Sequence, residues 1–122
     1  MRSEWDDLGI PNEDAYHPVE TADFGGRGRT DQQLYLRIPK RGTAFPAVVW
    51  FHGGGLTGGG REVPDALFDG RMAVIEARYR LSPEFPAPAA LADAVAATAW
   101  TLKRAEARGI DPERVFVGGM SA

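Results

Sequence analysis

The sequence contains no cysteine, which excludes a disulfide framework, a thiolate nucleophile and any metal site built on sulfur. Histidine is almost as scarce. His17 and His52 are the only two, and no second histidine or clustered carboxylate stands at ligand spacing from His52, so no metal is expected. Basic residues are not in excess either. The 14 Lys and Arg face 17 Asp and Glu, a net charge of -3, whereas a nucleic-acid binder needs a basic face for phosphate contacts. No window approaches the ~18 apolar residues of a membrane helix. The first residues, Met1 to Asp7, are acidic and lack the apolar core of a signal peptide. These absences predict a cytoplasmic protein with no nucleic-acid partner and no membrane partner.

What is present is one domain's worth of alternating strands and helices in 122 residues. Residues 1–15 are polar and turn-rich and read as a loosely held lead-in; residues 16–122 read as one α/β unit. A first strand is expected within His17 to Phe24, confined to a sheet edge by Pro18. A second is expected from Gln33 to Ile38. Ala47-Val48-Val49-Trp50-Phe51 is an unbroken apolar run, as in a strand buried on both faces. Val63 to Asp69 reads as one or two helical turns and Met72 to Glu76 as a strand. The spacing predicts a helix over Ala89 to Arg108, with Leu91, Val95, Ala99 and Leu102 on one face, Asp93 and Trp100 on the other, and Gly109 as its left-handed cap. Such a helix is expected to be sandwiched between the sheet and another layer. Asp111-Pro112-Glu113-Arg114 reads as an N-capped helical turn, and Val115-Phe116-Val117 as a last buried strand. The pattern specifies an α/β sheet, mostly parallel at its centre.

Two glycine turns carry the chemistry. Gly53-Gly54-Gly55-Leu56-Thr57-Gly58 matches the phosphate-binding pattern G-x-G-x-x-G, and Glu76 stands about where a ribose-binding acid belongs. That reading needs a substantial helix at the third glycine to hold the pyrophosphate. The glycines instead continue to Gly60 and meet Pro64, which leaves no room for it. The other reading is an oxyanion loop, in which glycine allows backbone N–H groups to approach an acyl group closely. Gly119-Met120-Ser121-Ala122 supplies its counterpart. It is the G-x-S-x of a nucleophile elbow, placed directly after an apolar strand.

His52-Gly53-Gly54-Gly55 together with this elbow resembles the α/β-hydrolase fold serine esterases. Tyr79-Arg80-Leu81-Ser82-Pro83-Glu84, Phe85-Pro86, Asp93, Trp100 and Gly109 to Arg114 look like further landmarks of the branch that holds the hormone-sensitive-lipase-like and small carbohydrate esterases. The short segment before the first strand favours the less-capped carbohydrate-esterase and arylformamidase side. The resemblance implies Ser121 as nucleophile, Gly54, Gly55 and Ala122 as oxyanion donors, and His52 and Gly53 as residues that shape the loop. It implies a small-molecule ester as substrate and no metal or organic cofactor. In that family the acid and the catalytic His follow the serine, and the chain stops one residue past Ser121. Neither triad partner can be assigned, so the expectation is the N-terminal, truncated part of a hydrolase, inactive as it stands. An amidase-type reaction (arylformamidase or exopeptidase) and a non-catalytic binding module are the alternatives. Arg80 with Glu84 reads as a structural ion pair, and Asp93 as a structural hydrogen-bonding group rather than a triad acid.

Overall fold

A computed structural model describes residues 9–52, 63–80 and 87–119. Five strands form one sheet: β1 (Glu20–Asp23), β2 (Gln33–Arg37), β3 (Phe45–Phe51), β4 (Ala73–Ala77) and β5 (Ile110–Gly119), in the order β1-β2-β4-β3-β5. β1 and β2 are antiparallel to their neighbours, while β4, β3 and β5 run parallel. The single α-helix among the described residues, α1 (Ala87–Arg104), crosses from β4 to β5. The expected α/β sheet with a parallel centre is therefore the observed one.

Alternation along the strands sends side chains to two apolar clusters. Leu34, Leu36, Val49 and Ile75 pack with Ala97 of α1 and with Ala105 just past its end on one face. Tyr16, Val48, Val63, Phe68 and Val74 form the other. Full burial of each large aliphatic residue contributes about 1.5–3 kcal/mol. Residues 9–15 are held more firmly than their polarity suggests. Asn12 donates to the Phe68 carbonyl, Lys40 N–H donates to the Ala15 carbonyl, and Ile10 and Ala15 pack on the second cluster. Next to them the Tyr16 hydroxyl accepts from Gly70 N–H and donates to the Met72 carbonyl.

The helix sits the other way round from its hydrophobic pattern. Asp93, Ala97, Thr101 and Ala105 are buried, whereas Leu91 is 69% and Val95 63% exposed, with Leu102 exposed as well. Small side chains at i, i+4 spacing let the helix lie close against the sheet, which long side chains would hold off. Trp100, expected on the face away from the leucines, packs beside the core, with the Arg104 and Arg108 guanidinium carbons 4.7 and 4.9 Å from its ring centroid. The helix ends at Arg104 rather than Arg108. A 3-10 turn, Glu106–Arg108, follows, and Gly109 (φ 75°) closes it in the left-handed conformation expected of a cap.

The segment Asp111–Arg114 is not a helical turn but part of β5. Phe45 pairs with Ile110 and Ala47 with Val115, so residues 111–114 bulge out opposite Pro46. Extra residues on one strand of a pair leave the ladder locally unpaired and bend that strand. The Asp111 carboxylate still accepts from the N–H of Glu113 at 2.9 Å. The capping signal was therefore local and real, but strand pairing overrode the helix.

The apolar faces of α1 and β5 meet in an open groove lined by Phe51, Val95, Thr98, Leu102 and Val117. An exposed apolar strand edge favours association. The 122-residue chain is expected to self-associate with rising concentration, and Val117→Lys to weaken that association. Sedimentation velocity across a dilution series checks this; a wild-type chain that stays monomeric contradicts it.

Candidate active site

Parallel strands present their carboxyl ends on one rim, and ligands of α/β sheets bind outside that rim. Here Phe51 pairs with Ala77 on one side and with Gly119 on the other. One rung thus carries the last residues of β4, β3 and β5. The chain leaves that rung at His52 in the middle, at Arg78 on one flank and beyond Gly119 on the other. The strand ends preceding both glycine turns are neighbours, on the same rim of the sheet. Gly53, Gly54, Gly55, Ser121 and Ala122 themselves lie outside the described residues, as do Glu84 and Phe85-Pro86.

The approach of β5 to β3 requires glycine. A Cβ on Gly119 would lie 2.7 Å from the Phe51 carbonyl oxygen, and one on Gly118 would lie 2.9 Å from the Trp50 ring. A backbone oxygen in a strand cannot move aside without breaking its ladder.

His52 is 4% exposed. Its carbonyl accepts a hydrogen bond from the Tyr79 hydroxyl at 2.5 Å, and its imidazole lies against the Tyr79 ring at 4.7 Å between centroids, tilted by 30°. Phe51 meets the same tyrosine edge-on at 6.1 Å. His17, by contrast, is exposed near β1, its N–H bonded to the Ile38 carbonyl.

The residue after Tyr79 is tied in the opposite direction. Arg80 donates from its backbone N–H (2.8 Å), Nε and Nη2 (2.8 Å) to the carboxylate of Asp93 on α1, and Gln32 Nε2 adds a further bond at 2.9 Å. Arg80 therefore pairs with Asp93; the expected pair with Glu84 falls on a residue outside the described ones. Burial pushes the Asp93 carboxyl up, but the hydrogen bonds from Arg80 and Gln32 outweigh it and hold the group below its ordinary value of 3.8. Asp93 is thus a structural acceptor, as expected. Glu76, weighed above as a ribose-binding acid, is buried within β4 between Tyr35 and Trp50 in register. Among the described residues no α-helix separates β3 from β4, and no three His, Asp or Glu side chains gather as a metal would need. No described helix is long and apolar enough to cross a membrane.

The sequence profile of the alpha/beta hydrolase fold matches residues 48–122. The chain belongs to that family. It is 46% identical over 90 residues to LipN of Mycobacterium tuberculosis, a carboxylic ester hydrolase, covering 69% of this chain and 24% of that protein. Carboxylesterase NlhH of the same organism is 39% identical over 112 residues, covering 85% of this chain and 34% of NlhH. Among solved structures, EstE1, a thermophilic carboxylesterase cloned from a metagenomic library, superposes with a TM-score of 0.64 at 38% identity, covering 74% of this chain and 32% of EstE1. The hydrolase segment described here spans about a quarter to a third of the length of these relatives.

Two features of this alpha/beta hydrolase segment escaped sequence reasoning. Tyr79 and Arg80 were visible as landmarks, but nothing in their spacing showed that they reach His52 and Asp93, 27 and 13 residues away. The i, i+4 run of Asp93, Ala97, Thr101 and Ala105 was the available signal for the buried face of the helix.

Gly119→Ala is expected to destabilise the fold by about 1–3 kcal/mol, the usual range for overpacking; urea unfolding measures it, and an unchanged midpoint contradicts the close approach. Asp93→Ala is expected to cost about 3 kcal/mol, the low end for a broken buried pair, because Arg80 keeps some contact with water. The pH dependence follows from the lowered Asp93 value. Its contribution is fully present above the unfolded value near 3.8 and drains away as pH falls through the lower folded value. Unfolding curves between about pH 2 and pH 6 should therefore be less acid-sensitive in Asp93→Asn than in the wild type.

Proposed function

We propose that this chain is a segment of a serine hydrolase that cleaves carboxylic esters of small acyl groups. The observation that carries the reading is the shared rung of Phe51 and Gly119. It brings the ends of the strands before His52-Gly53-Gly54-Gly55 and before Gly119-Met120-Ser121-Ala122 side by side on one rim. Ser121 is the nucleophile, and the N–H groups of Gly54, Gly55 and Ala122 are the oxyanion donors. His52 and Gly53 set the course of the loop.

The chemistry follows from those roles. The Ser121 oxygen adds to the acyl carbonyl as a base takes its proton, and the oxyanion is held by the amide donors. Collapse of the tetrahedral intermediate expels the alcohol, and water then releases the acid from the acyl-enzyme. The base and its orienting acid come from outside these 122 residues: His52 is committed to the loop and His17 stands by β1. The relatives' names, carboxylic ester hydrolase and carboxylesterase, support esters over amides as the bond cleaved.

A fluorophosphonate probe tests the reading. A complete protein carrying this segment should be labelled at Ser121 and should hydrolyse p-nitrophenyl acetate; Ser121→Ala should abolish both. The 122-residue chain alone should remain unlabelled. Hydrolysis that survives Ser121→Ala, or labelling at another residue, overturns the assignment.

A further inference from the structure

The hydrogen bond from Tyr79 to the His52 carbonyl spans two elements that the ladder does not otherwise connect beyond the rim. Both residues are buried, Tyr79 at 5% and His52 at 4% exposure. The O···O distance of 2.5 Å lies at the short end for a hydroxyl donor. The phenol cannot swing away, because His52 covers one side of its ring and Phe51 meets it edge-on. Its backbone cannot slide either, because the next N–H, that of Arg80, is bonded to Asp93 on α1. A chain of contacts thus runs from the helix through Asp93, Arg80 and Tyr79 to the last peptide group before the glycines.

That peptide group needs holding. A run of glycines leaves the backbone free to rotate, and donors that must meet a developing oxyanion cannot be left to rotate. The peptide unit is planar, so a fixed His52 carbonyl also fixes the direction of the N–H on the same unit. We infer that Tyr79 is the positioning residue of the glycine loop: its hydroxyl clamps the His52–Gly53 peptide and so orients the donors that follow. This role rests on the oxyanion reading of that loop.

One dipeptide makes the test specific. His17 precedes proline, so His52-Gly53 is the only His-Gly pair in the sequence. Carbonyl-13C histidine with 15N glycine therefore yields one cross-peak in a carbonyl–amide correlation spectrum, which reports the clamped peptide alone. The spectrum is recorded on the full 122-residue chain carrying Val117→Lys to limit association, with Tyr79 and with Tyr79→Phe. Phenylalanine keeps the ring contacts and removes only the hydroxyl, and circular dichroism checks that the fold is retained. The His52 carbonyl resonance is expected to move upfield in Tyr79→Phe. An unmoved resonance overturns the clamp. In a complete, active protein Tyr79→Phe should lower kcat about tenfold with KM unchanged, less than outright loss of an oxyanion donor. An unchanged kcat, or a loss confined to KM, overturns the positioning role. Absence of esterase activity in the complete wild-type protein would count against the proposed function alone, and the carbonyl shift would still decide whether Tyr79 holds the peptide.

Discussion

The parallel ladder between β3 and β5 sets where every other part of the rim can stand. Its register places Phe51 opposite Gly119, and a slip by one residue would turn each side chain of β5 to the wrong face of the sheet. The register is reached through an irregularity. β3 advances from Phe45 to Ala47 while β5 advances from Ile110 to Val115, with the surplus residues bulged out beside Pro46. Once past the bulge the two strands stay in step up to the rim. There, two glycines remove the side chains that would have forced them apart.

The second constraint is polar and lies beside the first. Asp93 is taken out of water on α1, an arrangement that is costly unless the carboxylate is fully satisfied. Arg80 and Gln32 satisfy it, and in doing so they tie the helix to the segment after β4 and to the approach to β2. Tyr79 turns the other way and closes on His52. A few charged, polar and aromatic groups thus connect four segments around the rim, where the ladder has ended.

Strand positions were legible where a short apolar run is punctuated by Gly or Pro, because those signals act locally. The central run from Ala47 to Phe51, the edge position of the first strand beside Pro18, and the cap at Gly109 all stand where composition placed them. The orientation of α1 was not legible. Helical periodicity weighs the long apolar residues, Leu91, Val95 and Leu102, whereas close packing on a sheet favours the small ones, Ala97, Thr101 and Ala105. Residues 111–114 misled for a similar reason: Asp before Pro caps a turn locally, but the pairing of Ile110 with Phe45 and of Val115 with Ala47 on another strand decided the backbone between them.

By itself the sequence determined the fold class and the order of strands and helix along the chain. These depend on residue type and short-range spacing. Only the tertiary structure decided which strands are neighbours, that β3 and β5 end on one rung, which face of α1 meets the sheet, and that Arg80 and Tyr79 reach Asp93 and His52. Those outcomes depend on contacts between residues far apart in the chain, where the partner is chosen by space and burial, and no local pattern encodes it.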